Sequence, residues 1–149
     1  MSIASICNRN VATISPDADI AEAAERMRKD HVGDLIVAEF RDTRLVPVGI
    51  ITDRDIVVSV VAKQVDPTTL TVGDVMSEDL LTVREDHSID RALREMRRQG
   101  VRRVPIVGAA GELVGVLSLN DVVDFLGALL GHVSDIIRFG QQAEAERRP

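Results

Sequence analysis

The sequence predicts an α+β fold of two β-α-β-β-α repeats packed about a pseudo-two-fold axis, and three observations predict it. Shifted by 69 residues, the chain overlays itself: Thr13 falls on Thr82, Asp17 on Asp86, Ile20 on Ile89, Ala23 on Ala92, Met27 on Met96 and Val32 on Val101. Beyond Val37 the offset drops to 66, which sets Gly49 on Gly115, Thr52 on Ser118 and Asp55 on Asp121. Within each copy, short apolar runs of strand length alternate with apolar residues at helical spacing. Each copy also breaks a buried-looking run at the same step: "GIITDRDIV" (49–57) and "GVLSLNDVV" (115–123) both pass from Gly and apolar residues to a hydroxyl, an Asp and a second apolar run. A unit this short cannot bury its apolar face alone, so the two copies are expected to share one core.

The elements follow in order. A β-branched strand is expected at 11–14, then a helix whose inner stripe is Ile20, Ala23, Ala24 and Met27. Apolar runs at 34–38 and 45–51 read as strands, joined by "EFRDTR" (39–44) as a loop. A helix over 53–63 closes the first repeat (3–63), and the polar, Pro-bearing stretch at 64–71 reads as a linker. The second repeat (72–131) runs the same way: a strand at 80–83, a helix carrying Ile89, Ala92, Leu93 and Met96, strands at 103–107 and 112–117, and a helix over 119–130. There "GAAG" (108–111) is a four-residue hairpin loop, and its shortness is expected to account for the three lost residues. Residues 132–149 form an amphipathic tail with Val133, Ile136 and Ile137 on one side, either an extra helix covering the repeats or a dimer surface, with close helix contact allowed by Gly127 and Gly131.

Composition narrows the function. With 45% hydrophobic and 28% charged residues the chain is globular rather than disordered. No apolar stretch nears the roughly 20 residues of a membrane span, and the N-terminus lacks the marks of a secretory signal, so a cytoplasmic protein is expected. The single cysteine, Cys7, excludes an internal disulfide, and His31, His87 and His132 show no metal spacing. A net charge of −6 and the lack of Trp and Tyr argue against nucleic acid, although six arginines crowd into residues 91–103. No nucleophile–base–acid set is visible, so no enzyme activity is expected.

The recurring hydroxyl-x-x-Asp has two compatible readings. A hydroxyl at the N-cap with an acid three residues on is a capping box. A helix start also carries free amides and partial positive charge, a seat for phosphate, and an Asp one turn along can accept from ribose hydroxyls. On that second reading Gly49 and Gly115 let a flat group approach the backbone. Here the chain resembles a tandem pair of CBS domains, the adenine-nucleotide sensing Bateman module. "DADIAEAAERMRKDHVGDLIV" with "GIITDRDIV", "DHSIDRALREMRRQGVRRVPIV" with "GVLSLNDVV", and the "VGDVM" lead-in at 72–76 carry the likeness.

The resemblance implies an adenosine derivative (AMP, ADP, ATP or an NAD-like ligand) held between the repeats. Thr52 and Ser118 would face phosphate, and Asp55 and Asp121 the ribose. It also implies a phosphate role for Arg102. The first copy has Gly33 and Asp34 where the second has Arg102 and Arg103, so the two sites are expected to differ. Arg103 and Arg54 are further phosphate candidates. Adenine is expected near the first strands, at Thr13-Ile14 and Thr82-Val83, with Val32, Val101 and Pro105 as walls, although core packing is the competing role of each. The functions in view are a non-enzymatic sensor acting on an unidentified protein effector, with a homodimer as in the family; a ligand-free interaction module whose boxes are only caps; and a sensor of S-adenosylmethionine. No effector segment is visible within the 149 residues.

Overall fold

The computed structural model describes residues 3–148. Two three-stranded sheets carry the architecture. In the first, β1 (Thr13–Ile14) runs parallel to β2 (Asp34–Arg41), which pairs antiparallel with β3 (Arg44–Thr52). In the second, β4 (Val83–Arg84), β5 (Arg103–Val107) and β6 (Leu113–Ser118) repeat that order. Helix α1 (Ile20–Asp30) links β1 to β2, and α4 (Ile89–Gln99) links β4 to β5. After β3 come α2 (Asp53–Ile56) and a π-helical turn, Val57–Val61; then α3 (Val72–Val75) precedes β4, and α5 (Leu119–Arg147) follows β6. The α+β class and the doubled element order stand as the sequence predicts.

Local chemistry places the helix ends. The Asp19 carboxylate accepts from Glu22 N at 2.8 Å, and the Ser88 hydroxyl accepts from Arg91 N at 3.3 Å. Both helices stop on a residue in the left-handed region, His31 (φ 54) and Gly100 (φ 67), whose amides return to the last turn.

Four expectations change. The first strands are only two residues long and start later, at Thr13 and Val83. "EFRDTR" is mostly strand: β2 and β3 extend to Arg41 and Arg44, leaving a turn at Asp42-Thr43 with Asp42 at φ 57, so the three extra residues lengthen the hairpin arms rather than its loop. The helix expected over 53–63 is α2 and then the π turn, where Ala62 N donates to Val57 O at 2.8 Å. The helix at 119 does not stop near 130; it runs 29 residues, unbroken, to Arg147.

The core is also not one but two. Ile14, Ile20, Leu35, Val37, Ile51 and Val60 form one cluster, and Val83, Ala92, Val104, Ile106, Leu117 and Val122 form another. Each is completed by the lead-in of the other repeat: Val72, Val75 and Met76 belong to the first cluster, Ile3, Ile6 and Cys7 to the second. Backbone pairs fix the exchange, Asn8 with Val116 through two bonds of 2.9 Å, and Ser77 with Ile50 through bonds of 2.9 and 3.1 Å. The glycines act here. A Cβ on Gly115 would lie 2.9 Å from Asn8 O, and one on Gly49 2.8 Å from Ser77 O. They admit the crossing lead-ins, not a flat ligand. The stretch at 64–71 is likewise folded down, since Ile20 N donates to Pro67 O and Leu70 O.

Helix α3 starts with its own capping box, in which Asp74 accepts from Thr71 N at 2.9 Å. That backbone bond, with the Thr71 hydroxyl, holds the Asp74 carboxyl below its ordinary value. A depressed carboxylate contributes stability above its unfolded pKa and loses it as pH falls through the folded one. Asp74→Asn is therefore expected to flatten the acid limb of a melting-temperature profile below about pH 4. An unchanged limb would refute it.

Candidate functional site

The two hydroxyl-x-x-Asp steps fold identically. At the end of β3, Thr52 Oγ1 accepts from Asp55 N at 3.1 Å, while Asp55 Oδ2 accepts from Thr52 N at 2.9 Å and from Thr52 Oγ1 at 2.8 Å. At the end of β6, Ser118 and Asp121 make the same three bonds at 3.2, 2.9 and 2.6 Å. Both are complete capping boxes. Each hydroxyl donates to its own Asp here, so facing a phosphate would require Thr52 or Ser118 to exchange that bond. The first turn of α2 is also satisfied: Asp53 N donates to Gly33 O at 2.9 Å, Arg54 N to Asp53 Oδ1 at 2.7 Å, and Asp55 N to Thr52. The helix start is not an open anion seat there. Ser118→Ala removes the cap of α5 and is expected to cost about 1 kcal/mol, read as a lower denaturation midpoint; no change would mean that the box contributes nothing.

Around these steps lie two clefts related by the repeat, each built from both copies. Ser118 and Asp121 face Val11, Ala12 and Val32 of the first repeat across a cavity of about 130 Å³. Thr52 and Arg54 face Leu80, Leu81 and Val101 of the second across one of about 690 Å³. The apolar walls correspond: Val11-Ala12 matches Leu80-Leu81, and Val32 matches Val101. Asp34 and Arg103 line both clefts and form an ion pair with each other.

Val32, Val101, Thr52, Ser118, Asp121, Arg54, Arg102 and Arg103 thus line the clefts. Asp55 is held in its box and does not line the larger cleft. The apolar walls are displaced two residues upstream of the expected Thr13-Ile14 and Thr82-Val83. Thr13 and Ile14 line a separate groove beside Glu22, Arg26 and Lys29. Ile14 and Val83 are core residues, Thr82 is exposed, and Pro105 is buried in β5 opposite Val116. Because the strands begin at Thr13 and Val83, the residues before them are the ones free to face the cleft. Asn8 went unnamed by sequence reasoning, and Asp34 was named only as the residue standing where the second copy has Arg103; the lead-in match at Ile6-Cys7 was the available sign for Asn8.

The larger cleft carries more guanidiniums, Arg54, Arg102 and Arg103, set against the carboxylates of Asp34, Asp53 and Asp79. Arg54 and Arg102 are exposed and form no ion pair among the described residues, while Asp53 and Asp79 line the same wall. The described residues hold no group of three or more His, Cys, Asp or Glu able to bind a metal ion, and no helix is long and apolar enough to cross a membrane.

Comparison with known proteins follows the same repeat. The family model for the CBS domain matches residues 3–62 and again 72–128. An uncharacterized protein of Methanopyrus kandleri is 31% identical over 142 residues, 95% of this chain and 71% of that one. Hypoxic response protein 1 of Mycobacterium tuberculosis is 33% identical over 121 residues, 81% of this chain and 82% of its own. The crystal structure of Hypoxic Response Protein I, with two coordinated zinc ions, is similar with a TM-score of 0.72 at 31% identity, over 83% of this chain and 98% of that one. A CBS domain protein from Pyrobaculum aerophilum complexed with AMP has a TM-score of 0.72 at 28% identity, over 81% of this chain and 89% of its own.

Proposed function

The chain belongs to the CBS domain family, and on that premise we propose that it is a non-enzymatic sensor of a phosphate-bearing adenine nucleotide, taken up in the cleft beside Thr52. The observation that carries this reading is the pair of guanidiniums, Arg54 and Arg102, that form no ion pair among the described residues, in a cleft walled by Leu80, Leu81 and Val101. Aliphatic walls suit a purine face, guanidiniums suit phosphate oxygens, and Asp53 and Asp79 offer acceptors to ribose hydroxyls. Of these charges the guanidiniums disfavour S-adenosylmethionine, whose sulfonium is positive. The AMP bound by the Pyrobaculum protein supports the ligand class.

The test is a thermal-shift panel of AMP, ADP, ATP, NAD, S-adenosylmethionine and GTP on protein freed of copurified nucleotide. A ligand at 100 times its Kd adds about 2.7 kcal/mol, a rise of roughly 5–10 °C for a chain of this size. We expect that rise with one of the adenine phosphates, and about a tenfold weaker Kd in Arg102→Gln, the scale of one lost charge-assisted contact. A flat panel would favour the ligand-free interaction module instead, a reading that the two complete capping boxes also fit.

A second copy of the chain is the proposed partner for α5. Leu119, Val123, Leu126, Leu130, Val133 and Ile137 recur at alternating spacings of four and three along the helix, and their exposures run from 41% to 71%. From Leu126 onward every described residue of the helix is exposed. That is the stripe of a coiled-coil seam without its partner strand. Sedimentation equilibrium is expected to give a dimer, and Leu130→Glu with Ile137→Glu a monomer; a wild-type monomer would refute it. Output to a protein effector then passes through ligand-dependent change in this assembly, to the extent that the ligand prefers one state.

A further inference from the structure

Asp34 and Arg103 are the same position in the two repeats, 69 residues apart, and they meet side chain to side chain. Equivalent positions can touch only at the pseudo-two-fold axis. A strictly repeated sequence would set like charges there; this one sets a carboxylate against a guanidinium. The backbone around them keeps the symmetry, since Gly33 O accepts from Asp53 N and its counterpart Arg102 O from Leu119 N, both at 2.9 Å. The asymmetry is therefore in the side chains alone.

Their place gives the pair a consequence. Both residues line the Thr52 cleft and the Ser118 cleft, so each cleft is bordered by one shared cation and one shared anion. The Arg103 and Asp34 side chains keep 35% and 24% of their accessible surface, enough exposure for a ligand anion to compete for the guanidinium. The clefts are otherwise unequal. Arg54 stands only in the first, with Asn120 as its counterpart in the second repeat, while Arg102 lines the first cleft and also a pocket next to the second, beside Ser118 and Asn120.

We propose that the Asp34–Arg103 pair couples the two clefts, so that a phosphate-bearing nucleotide in the Thr52 cleft disfavours a second one in the Ser118 cleft. This rests on the nucleotide reading above. A phosphate beside Arg54 and Arg102 draws Arg103 toward it. Asp34 then joins Asp121 as a second carboxylate without a cation opposite it on the wall of the Ser118 cavity, whose lining holds Arg103 as its one cation. That cleft then repels an anion but not an uncharged nucleoside. Coupling free energies of this kind span about 5- to 150-fold in affinity.

Calorimetric titration of the whole chain with AMP, and separately with uncharged adenosine, tests it in wild type, Asp34→Asn and Arg103→Gln. In wild type the second AMP is expected to bind at least about fivefold more weakly than the first, beyond the statistical ratio. In Asp34→Asn that gap closes to about twofold or less, because the carboxylate that Arg103 neutralised is gone and Asp121 is present with or without the first AMP. Arg103→Gln weakens the first AMP step instead. Adenosine steps stay within about twofold across wild type and Asp34→Asn. Two AMP steps with the same ratio in wild type and Asp34→Asn overturn the coupling while leaving the nucleotide reading intact. No heat with either ligand in any protein of unchanged melting temperature overturns the nucleotide reading and the coupling together.

Discussion

Ile3→Ala is expected to lower the unfolding free energy by about 3 kcal/mol, a loss usually seen at the centre of a core. Ile3 lies near the N-terminus, yet it is 0% exposed and packs with Val83, Val104, Ile106 and Leu117 of the second repeat. Its amide also donates to His87 O at 3.2 Å. For a chain of this length the melting temperature should fall by roughly 6–12 °C, and Ile3→Val, which removes one methyl, by about a third of that. The location of the damage is the sharper test. Amide exchange should accelerate in β5 and β6, not in β2 and β3, because the lost contacts belong to the second core. A fall of under about 1 kcal/mol, within the range of surface substitutions, would show that the exchanged lead-in does not seal that core. Faster exchange confined to β2 and β3 would refute the exchange itself.

That exchange marks the limit of what the residues disclose. The offset of 69 with its drop to 66 is enough to give two like units, and helical spacing at Ile20, Ala23 and Met27 is enough to give the face that α1 buries. The same match laid Ile6-Cys7 on Val75-Met76 without saying which sheet either would join. A repeat fixes the contacts within one unit and leaves the pairing between units open, since each lead-in fits either edge by symmetry. Hence the clefts are crossed: Val32 faces Ser118 and Val101 faces Thr52, partners that no local pattern links. Hairpin length was hidden for another reason. Apart from Phe40, Glu39 to Arg44 is polar, and polarity reads as loop, whereas an exposed antiparallel hairpin tip has no apolar alternation to show. The length of α5 was obscured by Gly127 and Gly131, which lower helix propensity but do not end a helix without a left-handed turn after it.

Gly49→Ala should destabilise by about 2 kcal/mol although it introduces only one methyl. Gly49 does not occupy the left-handed region, so alanine meets no backbone strain, and the loss of unfolded-state freedom would by itself stabilise by about 0.4–1 kcal/mol. Space decides the sign. The new Cβ would stand 2.7 Å from Met76 Sδ and 2.8 Å from Ser77 O. A thioether can rotate away, but the carbonyl is held by its bond from Ile50 N at 3.1 Å, one half of the pair that seats the second lead-in on β3. Relief requires the strand segment to lift, which breaks that pair and uncovers Val72 and Met76; overpacking of this kind costs about 1–3 kcal/mol. A melting temperature lower by roughly 4–8 °C, with faster exchange at the amides of Ile50 and Ser77, is the expected result. Adding Met76→Ala should not restore it, because the backbone contact remains. Full rescue by that second change would show that the sulfur alone fills the gap, and an unchanged or raised melting temperature in Gly49→Ala would remove the close approach as the reason for glycine.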